Sequence, residues 1–193
     1  MKKVTLGPLP LLYPMPAALI GANVREKPNF MTAAYCGIVA AAPPTIAVGI
    51  RGERYTLKGI HQNDAFSVNV PSASLAAQTD YCGIVSGATV DKAADCGFTV
   101  FYGKLKGVPL IEQCPINLEC KLIRSIDLGS HTLLIGQIEE VHVTEECMSA
   151  EGPDPVKVDP LMYAAGAGKS YFRLGEKVGS AFNIGRQIKE TQK

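Results

Sequence analysis

Arg51, Arg54, Tyr55 and Thr56 bring two guanidinium groups and two hydroxyls together within six positions, a density of donors that suits a phosphate. Thr56 falls where a helix N-cap is expected, and a helix start favours an anion because its first peptide N–H groups have no partner. Upstream, Ala33, Ala34, Gly37, Ala40, Ala41 and Ala42 are nearly bare of side chain, so a flat ring can approach the backbone and share hydrogen bonds with it. The stretch from Asn29 to Thr56 therefore reads as a bare apolar floor followed by a cationic turn. That pairing suits a planar ligand with a phosphate tail.

Other motifs carry less. Gly166 to Ser170, GAGKS, ends like a phosphate-binding loop, but the glycine that such a loop needs five positions earlier is Tyr163, and Tyr171-Phe172-Arg173 stands where a helix should begin. No glycine-rich dinucleotide fingerprint follows any expected strand. Of the three histidines, His142 lies between two valines on a presumed strand and reads as a solvated sheet residue. His61 ends a short helix, where a cation complements the dipole. His131 differs, because it follows a chain reversal that can border a pocket. Glu139-Glu140 and Glu145-Glu146 read as charged surface, and neither a serine nucleophile elbow nor a zinc-protease helix is present. A chain with a ligand floor and few reactive side chains lets a cofactor carry the chemistry.

The rest of the composition fits this picture. With 193 residues and 47% apolar side chains, the chain is expected to form one domain, hiding roughly 70% of its unfolded surface. A formal charge of +1 sets aside nucleic acid and polybasic membrane binding. Cys36, Cys82, Cys96, Cys114, Cys120 and Cys147 form no Cys-x-x-Cys pair and match no zinc or iron–sulfur spacing, so they read as packed thiols in a reducing cytoplasm. The apolar N-terminus is broken by Pro8, Pro10, Pro14 and Pro16, which argues against a secretory signal. No apolar run reaches membrane-spanning length without such an interruption.

Short strands must position the candidate residues. Residues 17–24, 30–34, 45–50 and 65–70 are apolar runs bounded by Gly, Pro, Asn and Asp. Brief helices are predicted over 56–62, 72–79 and 89–94. In 116–122, Ile116, Leu118, Cys120 and Leu122 alternate with Asn117, Glu119 and Lys121, and 132–143 is long enough to be the hairpin partner. Asp127-Leu128-Gly129-Ser130 is the connecting turn, which delivers His131 to the second strand. Gly152 to Pro155 reads as a loop, and Tyr171 to Arg173 as a last strand. Many short strands with small inserted helices, 19 glycines and 13 prolines predict a mainly β fold of barrel type.

Several blocks, in order, resemble the flavin reductase-like proteins with an FMN-binding split β-barrel, and within them the flavoredoxin branch. These are Asn29-Phe30-Met31-Thr32, Pro43-Pro44, Arg54-Tyr55-Thr56, Phe66 to Pro71, Asp80 to Gly87 with Asp91-Lys92, Glu112 to Cys120, Gly129-Ser130-His131 and the tail from Tyr171 to Gly185. The resemblance implies FMN at a homodimer interface. Asn29 belongs to the first flavin-binding block; the ring would lie near Met31, Thr32 and Ala33, and the phosphate would be held by Arg54, Thr56 and Lys92. Tyr55 and Ser86 would add polar contacts, and His131 would stand on the substrate side. Many relatives carry Asp where this chain has Ser130, which leaves a hydrogen bond from that neighbour to the histidine open.

Two functions follow from the resemblance. One is an NAD(P)H-linked reductase passing electrons through FMN to free flavin, a ferric chelate or another acceptor. The other is a flavoredoxin-type carrier that exchanges electrons with redox proteins. A split barrel holding a deazaflavin or haem is a third possibility, for which no haem ligand is evident. Cys36 is either a packed thiol or one close enough to tune a flavin.

Overall fold

A computed structural model describes residues 1–166, 168–186 and 188. Among these residues fourteen strands and four α-helices follow one another. They are β1 Met15–Pro16, β2 Ala18–Val24, β3 Lys27–Ala33, β4 Cys36–Ala41, β5 Pro44–Ile50, α1 Tyr55–Asn63, β6 Ala65–Val70, α2 Ala76–Ile84, α3 Lys92–Asp95, β7 Val100–Tyr102, β8 Pro109–Ile111, β9 Ile116–Asp127, β10 Thr132–Val143, β11 Met148–Ser149, β12 Gly152–Pro153, α4 Pro155–Val158, β13 Met162–Ala164 and β14 Ser170–Phe172. Seven of the strands form an antiparallel sheet in the order β3-β2-β6-β9-β10-β5-β4. The sheet curls so that β3 approaches β5, yet no ladder joins them. The result is a split barrel, mainly β as expected.

Side chains at alternate positions fill the barrel: Ile20 and Ala22 from β2, Met31 and Ala33 from β3, Val48 and Ile50 from β5, Phe66 and Val68 from β6, and Leu134 from β10. Leu57 and Ile60 on α1 join this core. In β2, β3 and β6 the intervening Leu19, Phe30 and Ser67 are buried as well. Leu19 and Phe30 face outward into a second cluster with Cys82, Phe98, Ile111 and Cys114. Strands covered on both faces read as continuous apolar runs, which is why β2 shows no alternation.

Two readings of β9 and β10 are corrected. Asn117 and Glu119, expected on a solvated face, are buried, and only Lys121 of that row is exposed. The loop after β7 covers Glu119, which accepts hydrogen bonds from the N–H groups of Lys104 (3.0 Å) and Leu105 (2.6 Å), while Asn117 donates to Asn69 Oδ1 (2.8 Å) and to the Ile111 carbonyl (2.9 Å). His142 is no free surface group either, since its Nε2 lies 2.8 Å from Glu119. The predicted helix at 72–79 becomes a 3₁₀ turn at Ala73–Leu75 followed by α2, which runs on to Ile84 because Thr79 and Cys82 are buried. The helix predicted at 89–94 shrinks to the single turn α3, whose N-cap Asp91 accepts from the Ala94 N–H. β4 was not expected, because its small residues and exposed face carry no periodic signal.

Candidate functional site

The split between β3 and β5 is the centre of a long cleft. β3 is an edge of the sheet, so one row of its peptide groups lacks a strand partner. The Phe30 carbonyl in this edge accepts from Lys92 Nζ at 2.9 Å. Because alternate peptides point the same way, the Thr32 peptide groups share that orientation. The Thr32 side chain is tied back by a bond to the Thr79 carbonyl of α2. Gly83 lies close against it, so that a Cβ added there would stand 3.3 Å from the Thr32 Cβ.

One end of the cleft is cationic. A cavity of about 390 Å³ is lined by Met31, Arg54, Tyr55, Thr56, Ser86 and Lys92, among others. Arg54 is the N-cap of α1, in extended conformation, and its Nη1 donates to the Gly83 carbonyl at 2.7 Å. Thr56 is therefore inside the helix rather than at its cap, which corrects its expected position. No side chain caps this helix start, leaving the N–H groups of Tyr55 and Thr56 for an anion. Lys92 is 3% exposed, and its ammonium donates to the carbonyls of Phe30 and Cys82. Burial lowers its pKa, and the neighbouring Arg54 charge pushes in the same direction. Among the described residues neither Arg54 nor Lys92 pairs with a carboxylate. A buried ammonium held only by neutral carbonyls is costly, and a phosphate at this corner would relieve that cost. The donor set fits a phosphate-bearing cofactor.

Asn29 stands behind this corner rather than in it. Its Nδ2 donates to Thr56 Oγ1 at 2.6 Å, and it is absent from the residues lining the cationic cavity. Gly87 packs against its carboxamide so closely that an added Cβ would fall 1.7 Å from Oδ1. Ser86 Oγ accepts from the Ala88 N–H at 3.3 Å and so also shapes its own turn. Tyr55 is half-buried, with Lys58 Nζ 5.6 Å from its ring centre.

Met31, Arg54, Gly83 and Ile84 continue into a wider end of about 560 Å³, which Thr32, Ala33 and Gly49 also line. Its far wall is built from three distant segments. His131 comes from the turn after β9, where Gly129 at φ +81° donates its N–H to Asp127 at 2.8 Å. Ser130 Oγ lies 3.0 Å from His131 Nδ1, which answers the open question about that neighbour. Tyr35 lies beside the imidazole, with ring centres 5.2 Å apart. Tyr163, Lys169 and Tyr171 come from β13, β14 and their connection, and the Tyr171 hydroxyl donates to Asp80 at 3.0 Å. Reading the sequence missed this contact between Tyr171 and Asp80, because nothing local links positions 91 apart.

Cys36 lines an adjoining apolar groove with Ile38, Leu128 and His131, not the wide end itself. Burial pushes its thiol up to about 12, so it is a neutral packing group at physiological pH. Gly166 and Lys169 lie in the connection between β13 and β14, and the strand Ser170–Phe172 follows them directly where a nucleotide-binding loop leads into a helix. Among the described residues no cluster of metal ligands occurs and no helix is long and apolar enough to cross a membrane.

Solved structures share this architecture. The flavoredoxin of Methanosarcina acetivorans is 37% identical, superposes with a TM-score of 0.92, and the match covers 97% of this chain and 100% of that one. The flavoredoxin of Desulfovibrio vulgaris (Miyazaki F) is 39% identical with a TM-score of 0.89 over 96% and 100% of the two chains. An FMN-binding protein from Thermus thermophilus, solved with bound 1-cyclohex-2-enone, is 27% identical with a TM-score of 0.78 over 93% and 99%. The family model for the flavin reductase like domain matches residues 11–171, spanning the sheet, the cationic corner and the wide end alike. The chain is thus a member of the flavin reductase like domain family.

Proposed function

We propose that the cleft binds FMN and that the protein is an FMN-dependent oxidoreductase, an NAD(P)H-linked reductase of flavin or ferric acceptors. One observation carries this reading: Lys92 and Arg54 converge at one end of a cleft, without carboxylate partners among the described residues, while the bare edge of β3 lines the other end. A phosphate monoester neutralises the first, and a flat ring fits the second. FMN, when bound, supplies acceptance of two electrons and their release singly or in pairs.

The chain's own groups would do the rest. Lys92, Arg54 and the Thr56 hydroxyl hold the phosphate, with Tyr55 and Ser86 beside it. The outward peptide groups around Met31, Thr32 and Ala33 orient the ring, and preorganised N–H donors there favour negative charge on it. Met31 and Ile84 exclude water. His131, steadied by Ser130, presents a donor to the co-substrate. The bound cyclohexenone of the Thermus protein supports a place for a small planar co-substrate in this fold.

The working unit in this proposal is a homodimer in the cytoplasm. Ile38, Val39 and Leu128 are exposed near the cleft and suit burial by a second copy. The six cysteines are all unpaired, as a reducing compartment favours.

A second reading is favoured by the two flavoredoxins, each more than a third identical to this chain: a carrier that takes electrons from a redox protein and turns over no nicotinamide itself. Anaerobic mixing of the purified protein with NADH or NADPH separates the two. Rapid bleaching of a flavin spectrum supports the reductase, and bleaching only by a reduced protein supports the carrier. A colourless protein that ignores added FMN would end both.

A further inference from the structure

Lys169 occupies a conformation that its residue type disfavours. Its φ is +39°, in the left-handed region where glycine is at ease and a long side chain is not, although Gly166 and Gly168 stand in the same connection. Gly166 meets a real demand there, because a Cβ on it would lie 2.5 Å from the Tyr13 hydroxyl. No such crowding requires a lysine at 169. The strained backbone instead sets Lys169 in the lining of the wide end of the cleft, together with Arg51 and Arg54.

The charges around it are uneven. Arg54 is tethered to the Gly83 carbonyl, towards the cationic corner. Arg51 meets Glu53 at 3.5 Å, but both side chains are more than 60% exposed, so that pair is weak. Asp80 in the same wall is engaged by the Tyr171 hydroxyl. Lys169 forms no salt bridge among the described residues.

The geometry points to a second anion subsite, formed by Lys169 and Arg51 at the wide end of the cleft, that takes the diphosphate of a dinucleotide co-substrate. This rests on the reading that FMN fills the rest of the cleft. The phosphate of FMN belongs to the buried Arg54 and Lys92 corner, whereas Lys169 and Arg51 lie at the surface, where a ligand enters and leaves. They are specificity-determining residues, set apart from the reacting atoms.

The test is calorimetric titration of FMN-saturated protein with inorganic pyrophosphate, comparing wild type with Lys169→Gly, Lys169→Arg and Arg51→Ala. Lys169→Gly removes the charge while relieving the backbone, so loss of folding does not confound it. The expected result is pyrophosphate binding weakened about five- to tenfold by Lys169→Gly and Arg51→Ala and retained by Lys169→Arg, with FMN affinity unchanged in the two Lys169 variants. Equal pyrophosphate affinity in wild type and Lys169→Gly, or no binding to wild type, overturns the subsite. Failure of the FMN reading shows separately, as absence of flavin binding to every protein including wild type. The same titrations on the cofactor-free proteins then decide the subsite, supported by a loss on Lys169→Gly and overturned by none.

Discussion

The Asn29 carboxamide donates to the Thr56 hydroxyl across 2.6 Å, joining β3 to the first turn of α1 in a buried contact. With its oxygen thus occupied as acceptor, Thr56 keeps its own proton for a ligand in the cationic cavity. Asn29 is therefore a positioning residue behind the phosphate corner. Asn29→Ala is expected to lower stability by about 1–2 kcal/mol and to weaken FMN binding as well, because it frees the Thr56 rotor. Fluorescence titration with FMN and a thermal melt of the cofactor-free protein measure the two effects. A melt shift with unchanged FMN affinity would remove Asn29 from the site.

Lys92 gives a prediction with opposite signs in the two states. Its ammonium is buried without a carboxylate, so Lys92→Met is expected to leave the cofactor-free protein as stable as before or more so. FMN binding by the same variant falls by about tenfold or more, a loss near 1.4 kcal/mol. The pH dependence follows from the lowered pKa. The unfolded chain holds the lysine proton more tightly, so stability of the cofactor-free protein rises with pH from the lowered folded pKa up to the ordinary lysine value of about 10.4. Over the same window FMN affinity falls, since the phosphate prefers the protonated amine. Melts and FMN titrations across alkaline pH, with Lys92→Met as reference, check both slopes.

Glu119 behaves in the reverse manner. Burial alone would raise its pKa, but the hydrogen bond from His142 and those from the N–H groups of Leu105 and Lys104 outweigh burial and hold it below the ordinary value. The stability this contributes is present above the unfolded carboxylate pKa of about 4.3 and is lost as pH falls through the lowered folded value. Glu119→Gln keeps the shape but loses the charge and turns a donor towards donors. A cost of about 1–3 kcal/mol at neutral pH is expected, shrinking in acid, with FMN affinity unchanged because the cluster lies outside the cleft. Denaturant titrations at two pH values read this directly.

How far the sequence reveals this protein depends on the range of the interaction. Thr132–Val143 is recognised from end to end, and Ala65–Val70 likewise, because a run of apolar and β-branched residues between turn signals is a local property. Arg54, Thr56, Ser86 and Lys92, which the block pattern grouped, line one cavity. Asn29 was placed with them, yet it stands one hydrogen bond behind that cavity, which is a tertiary fact. The polar row Asn117 and Glu119 reads as surface because only tertiary partners make it interior, the loop at Lys104 and Leu105 for Glu119 and Asn69 with the Ile111 carbonyl for Asn117. The wall of Tyr163, Lys169 and Tyr171 was invisible for the same reason, since β13 and β14 reach the cleft through pairing with β1 at the far end of the chain.

Arg54 links the two ends of the cleft and so gives the sharpest single test of its continuity. Its guanidinium is held by the Gly83 carbonyl, lines both cavities and lies near Lys92. Arg54→Ala is expected to weaken FMN binding by about 1–3 kcal/mol through loss of a charge-assisted bond. Removing its positive charge also lets the Lys92 pKa rise, so the alkaline fall in FMN affinity shifts to higher pH in the variant. Arg54→Lys restores charge but not the planar fork that spans Gly83 and a phosphate, and is expected to recover only part of the affinity. Full recovery by lysine would mean that charge alone matters at this position. Unchanged affinity in Arg54→Ala would place the phosphate elsewhere.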